Sequence, residues 1–339
     1  MNVRMTAVAG LGAILLAAGG ALAVTIETVP VGNPGNAADT RYETPGYGDV
    51  SYTYNIGKYE VTAVQYTEFL NKVAATDTYA LYNTDMWSSG YGCKIWQSGS
   101  SGSYTYGVAG DYANRPVNHV SYWDACRFAN WLSNGQPTGA QGPGTTETGT
   151  YTLDGYNGDD GETIQHNANA TWVVTSEDEW YKAAYYKGGS TNAGYWDYPT
   201  SSDAAPGRDM ADASGNNANY DTGSGAFPID SGKCTTVAGE FQLSDSPYGT
   251  FDQGGNVYEW NEAMIVYQDS TYASRGLRGG SFIDNNVYYL HAAYRGCYYP
   301  TLEIYGVGFR VSEVPEPASM ALLALGSIGM LPRRRGLRR

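Results

Sequence analysis

Tyr248-Gly-Thr-Phe-Asp-Gln-Gly-Gly-Asn-Val-Tyr-Glu-Trp260 is the stretch on which the reading of this chain turns. Gly254-Gly255 marks a tight turn. Asp252 and Glu259 stand on either side of it, seven residues apart. A glycine-rich turn presents backbone carbonyls, and two carboxylates neutralise charge. Roughly six to eight oxygens of these kinds make a calcium site. The plainer alternative is that Asp252 and Glu259 cap and pair locally. Tyr258 and Trp260 read as core aromatics.

Upstream of this turn, three helices announce themselves. Thr62 with Gln65 forms a capping box, and Tyr66, Phe69, Leu70 and Val73 follow at helical spacing as one apolar stripe. Ser121 with Asp124 begins a second helix, whose stripe is Ala125, Phe128, Ala129 and Leu132. Ser176 with Glu179 begins a third, which buries Trp180, Ala183 and Ala184. Alternation from Ser51 to Val61 predicts a strand or hairpin. Long loop-rich stretches, about 76–115, 134–170 and 188–245, separate these elements, and loops of that length are functional or locally structured. Residues 24–50, rich in Gly, Pro and Asn, read as an extended lead-in, and 51–312 as one domain. The 339 residues include 44 Gly and 31 Tyr, which suits turns, loops and short strands better than a helical bundle, and 42% hydrophobic content is enough for a core.

Both ends carry targeting features. Arg4, the apolar run Met5–Leu22 and the small residues Ala21 and Ala23 make residues 1–23 an export signal. At the other end, Val314-Pro315-Glu316-Pro317 precedes an apolar run from Ala318 to Leu331 and then Arg333, Arg334, Arg335, Arg338 and Arg339. That run would span ~21 Å as a helix, short for a ~30 Å hydrocarbon core. The order of these features resembles the PEP-CTERM sorting signal. The resemblance implies an exosortase-type partner that cuts near the motif, membrane contact only through residues 313–339 before processing, and a final place in the envelope, at the cell surface or outside. Six of the 20 basic residues lie in the two signals, while all 34 acids lie between them, so the mature body is 14 minus 34, or −20. Such a body repels nucleic acid and anionic lipid. Export permits disulfides among Cys93, Cys126, Cys234 and Cys297, and their pairing stays open.

Six ordered blocks resemble one family. They are Ile56–Asn71 (IGKYEVTAVQYTEFLN), Arg115–Ala125 (RPVNHVSYWDA), Thr175–Ala184 (TSEDEWYKAA), Tyr248–Trp260, Arg278–Phe282 (RGGSF) and Gly308–Val311 (GFRV). Together they resemble the sulfatase-modifying-factor, or formylglycine-generating enzyme, family. The resemblance implies a single α+β domain related to C-type lectins, with short strands, about three main helices and much irregular loop. It also implies calcium, held by Asp252, Gly255, Val257 and Glu259, the middle two through backbone oxygens, and a second calcium at Asn219, Tyr220, Asp230 and Gly232.

The family's chemistry rests on two cysteines placed two and seven residues after the aromatic of the GGS block. Here those positions are Asp284 and Tyr289. Neither binds Cu(I) as a thiolate does, which argues against copper and leaves no catalytic residue to name. Relatives that use iron need a histidine cluster, whereas His119, His166 and His291 are far apart in sequence. Ser281, Asp284, Tyr289 and Arg295 line the expected ligand pocket. Arg278, Arg295 and Arg310 are expected to pair with buried acids. Three functions compete. One is a non-catalytic surface protein that binds a glycan or exopolysaccharide. The second is an oxidase of the family, and the third a calcium-stabilised matrix component.

Overall fold

The computed structural model describes residues 23–223, 228–230, 232–266 and 273–315. The expected export signal and the apolar, arginine-ended tail fall almost wholly outside these residues. Among the described residues no helix is long and apolar enough to cross a membrane.

All three expected helices form where their caps place them. α1 (Ala63–Val73), α3 (Tyr122–Ser133) and α4 (Glu177–Tyr185) start at Thr62, Ser121 and Ser176, each with both halves of the capping box made. Their predicted stripes are buried. A single-turn helix, α2 (Asp85–Ser88), lies between the first two.

Two four-stranded sheets frame these helices. The first has the order β1 (Thr28–Val31), β2 (Tyr54–Gly57), β10 (Val311–Glu313), β5 (Trp172–Val174), all antiparallel. Thus residues 24–50 bring a strand to the body, and Val31 and Val50 are buried beside Tyr54 and Ile56. The second sheet runs β8 (Gly296–Tyr298), β7 (Ala273–Arg278), β6 (Tyr258–Val266), β9 (Val307–Phe309). β6 and β9 are parallel, and a register shift between Asn261 and Met264 bends β6. A hairpin, β3 (Ile95–Ser98) with β4 (Thr105–Val108), stands apart from both sheets. β9 and β10 follow each other directly, so the closing Gly308-Phe-Arg-Val311 stitches the two sheets together.

The main core lies between α1, α3 and the strand ends. Tyr66, Phe69, Phe128, Trp131, Trp260 and Phe309 are all fully buried in it. Tyr66 stacks on Phe128 at 6.2 Å and Phe69 meets Trp131 at 5.2 Å. Polar groups buried on α3 explain how the loop from 134 to 170 is held. Asn130 donates to the carbonyls of Thr146 (2.6 Å) and Tyr151 (3.0 Å) and accepts from the Tyr151 amide (2.6 Å). Arg127 pairs with Glu147 at 2.7 Å. No cysteine is in a disulfide, and Cys93, Cys126 and Cys234 are buried. Burial raises all three thiols, Cys93 and Cys234 to about 11.

Candidate functional site

Two glycine turns bring three remote segments together. Gly255 has φ +82°, and a Cβ there would lie 2.3 Å from the Asn219 carbonyl. Gly279 has φ +99°, and a Cβ there would lie 2.7 Å from the Gln253 carbonyl. Only glycine allows these approaches. They close with Gly255 N–H donating to Gly279 O (2.8 Å), Asn256 N–H to Asn219 O (2.8 Å) and Phe282 N–H to Asn256 O (2.9 Å).

Asn256 is the hub. Its side-chain oxygen accepts from Thr236 N–H (2.9 Å) and from the Asn219 amide (3.2 Å), and its own amide donates to Glu60 (3.2 Å). Neither Asn256 nor Glu60 stands out in the sequence as a site residue. The signal was there for Asn256: an Asn after a Gly-Gly pair suits the left-handed turn that it adopts at φ +60°.

The candidate calcium ligands have different partners. Glu259 is fully buried and held by Arg310 through two bonds (2.6 and 2.7 Å), while Trp180 Nε1 donates to it at 2.6 Å. Asp252 is half-buried beside Glu60 and Glu259, and its carboxylate accepts from Gly239 N–H at 2.5 Å. Burial is the main cause that pushes Asp252 up to about 6. Glu60 is raised well above the usual range by burial and then by Asp252. Three carboxylates thus share one guanidinium, and Glu60 Oε2 is buried with no hydrogen-bond partner. Gly255 and Val257 lie on the turn between Asp252 and Glu259, and Val257 is fully buried.

In the second set, Asn219 Oδ1 is likewise buried and unpartnered. Its neighbour Tyr220 sends its hydroxyl to Pro206 O (2.7 Å). Asp230 gives its carboxylate to Arg115, and Gly232 sits at φ +76° beyond it. Among the described residues, no three His, Cys, Asp or Glu side chains converge as a metal cage. A cation at Glu60 and Asp252 would therefore rely on backbone and amide oxygens as well. The orphaned oxygens and the surplus of carboxylates fit a hard cation.

At the expected ligand pocket, Asp284 accepts from Ser281 N–H (2.7 Å) and Ser281 Oγ–H (2.8 Å). The Tyr258 hydroxyl is hydrogen-bonded to Asp284 and Tyr294. Burial raises Asp284, and its hydrogen bonds to Ser281 and Tyr258 act the other way. Tyr289 packs edge-on against Tyr294, with centroids 4.8 Å apart. Tyrosine rings therefore occupy this place. Arg295 is not directed at Asp284. It takes Glu177 in two bonds (2.8 and 2.5 Å), and Glu177 also takes Arg278. The three arginines expected to meet buried acids all do so.

The remaining cysteine near this segment, Cys297, lies on β8 opposite Gly276. The histidines fall in three separate places. His119 is buried with neither ring nitrogen bonded, His166 pairs with Glu262 (2.8 Å), and His291 sits among tyrosines.

Residues 12–314 match the sulfatase-modifying factor enzyme 1-like domain.

The chain belongs to that sulfatase-modifying factor family.

Residues 313–335 match the PEP-CTERM protein-sorting motif, which implies recognition by exosortase-type sorting machinery and an exported, envelope-associated protein. No curated protein matches the chain. Among solved structures, CarF is similar over 86% of this chain and 99% of its own, at 20% identity and TM-score 0.52, a likeness of fold alone. The variable protein 1 of Treponema denticola (18% identity, 86% of this chain, 98% of its own, TM-score 0.48) also matches. So does PvdO from Pseudomonas aeruginosa (17% identity, 85% of this chain, 92% of its own, TM-score 0.44). The α+β architecture inferred from sequence is the one observed, with short strands, three main helices and much loop.

Proposed function

We propose that this member of the sulfatase-modifying factor family is an exported, non-catalytic binding module. Its ligand is a glycan or exopolysaccharide, and calcium braces its loops. The observation that carries the reading is the Asp284 corner. A carboxylate held by Ser281 and Tyr258, with phenol rings around it, stands where the family's resemblance expects two thiols. Oxygen ligands are hard and suit neither Cu(I) nor its redox cycle. What such a corner can do is accept hydrogen bonds and present ring faces.

The test has two arms. Cuprous titration of the purified protein should show no stoichiometric tight binding, and a cysteine-containing sulfatase peptide should emerge without an aldehyde. Aldehyde formation would restore the oxidase. A glycan array, run with and without chelator, should show saturable binding to one glycan class. Loss of that binding in chelator would tie it to the calcium of the Glu60–Asp252 cluster. No glycan binding together with no aldehyde would leave the matrix-component alternative.

A further inference from the structure

Beyond the Asp284 corner, the tyrosines continue outward as one strip. Tyr294 meets Tyr288 at 5.9 Å, Tyr288 stacks on His291 at 5.9 Å, and His291 meets Tyr42 at 5.4 Å. Tyr42 and Tyr288, joined through His291, are 42% and 48% exposed. Exposed rings in a contiguous patch mark an interaction site more often than scattered ones do.

The strip is rigid. Asn286 caps the 3-10 turn Val287–Leu290 by accepting from Tyr288 N–H at 2.9 Å. Ala292 N–H donates to Asp197 O (2.8 Å), and Tyr185 anchors Leu290 O at 3.1 Å. His291 Nδ1 accepts from Ala293 N–H (3.0 Å), which leaves the ring proton on Nε2, 3.8 Å from Asp197. Burial lowers the His291 pKa, so the ring is neutral and stacks as an aromatic. The Tyr42 hydroxyl donates to Asp197 at 2.7 Å, and Arg41 binds the same carboxylate oxygen at 2.7 Å.

Charge on this face is one-sided. Arg41, Arg278 and Arg295 are each bound to a carboxylate: Asp39 and Asp197 for the first, Glu177 for the other two. Asp284, at the inner end of the strip, is held only by neutral donors. A ligand that follows the rings therefore meets an uncompensated carboxylate.

Resting on the proposed binding role, we infer that the strip Tyr42–His291–Tyr288–Tyr294 is the binding surface, and that its ligand is an amino-sugar polymer. Sugar rings pair an apolar C–H face with a hydroxyl rim, which matches aromatic faces edged by Asp197 and Asp284. A free amine on the sugar pairs with Asp284. A uronate polymer brings the wrong charge to a body of net −20.

Calorimetric titration of the full protein with glucosamine oligomers, their N-acetylated forms and uronate oligomers tests this. Binding should be tightest for the free amine and weakest for the uronate. Tyr288→Ala should weaken it about tenfold or more, and Asp284→Asn should erase the preference for the amine. Trp87→Ala, an exposed ring on α2, should leave affinity unchanged. Unchanged melting temperatures show that the variants fold. If Tyr288→Ala binds glycan like the parent, the strip is the wrong surface while the glycan role stands. If the parent binds no glycan, the underlying role fails. Binding of a proline-rich peptide on the strip in place of glycan overturns the inference as well.

Discussion

Glu259 and Arg310 show what a buried charge requires. Both are wholly buried, and the carboxylate takes two bonds from the guanidinium. Arg310 also donates to Gly57 O (2.7 Å) and Phe251 O (2.9 Å), so one side chain ties β2 and the 248–260 turn to the link between β9 and β10. Arg310→Ala would strip the buried Glu259 of its charge partner and leave it only the Trp180 N–H bond, at a cost of about 3–5 kcal/mol. Denaturant unfolding should show that loss, and an Arg310→Met, Glu259→Gln double variant should recover part of it. A double variant no better than the single would mean that the backbone contacts, not the charge, carry the effect.

A second residue, Asp124, makes a pH prediction. Burial first, and the Glu303 carboxylate second, hold it well above the usual value. The folded protein keeps a proton that the unfolded chain has lost. This stabilisation is complete below the unfolded value of 3.8 and is lost as pH rises through the folded one. Asp124→Asn keeps an oxygen for Ser121 N–H and does not titrate. Its melting temperature should therefore fall less than the parent's between about pH 4 and about pH 7. An equal fall in both would show that Asp124 is ionised throughout.

At the scale of elements, the helices were legible because their signals are local. A cap and its partner lie three residues apart, and the apolar stripe follows at once. The strength of a cap still depends on its surroundings. Ser121 Oγ accepts from Asp124 N–H at 3.1 Å in a buried setting, whereas Thr62 Oγ1 is 3.5 Å from Gln65 N. Ser121→Ala should cost about 1 kcal/mol or more, and Thr62→Ala should cost less. Equal losses in thermal unfolding would show that distance and burial do not grade these caps. Strands were harder to read. β1 is four residues inside a Gly-, Pro- and Asn-rich segment, and its place depends on β2, more than twenty residues later. The parallel pairing of β6 with β9 joins Tyr258 to Val307, a contact with no short-range signature.

For the whole molecule, sequence blocks located the candidate site but not its internal pairing. Its position in the closing segment points Arg295 to a pocket, yet its partner is Glu177 at the start of α4, 118 residues earlier. Glu60 was invisible as a site residue because it precedes α1, while its carboxylate neighbours lie on the 252–259 turn, 196 residues from Glu60 to the hub Asn256. That long-range assembly is why calcium should act on global stability. Glu60 follows β2, Asp252 precedes β6 and Asn256 bridges to Asn219, so a cation bound there clamps segments from three parts of the chain. Calcium at about a hundred times its Kd should add about 2.7 kcal/mol. Scanning calorimetry should show a higher melting temperature in calcium than in chelator. Glu60→Gln, which removes the orphaned carboxylate, should abolish most of that shift without unfolding the protein. A melting temperature indifferent to calcium in the parent would mean that protons, not a metal, neutralise this cluster.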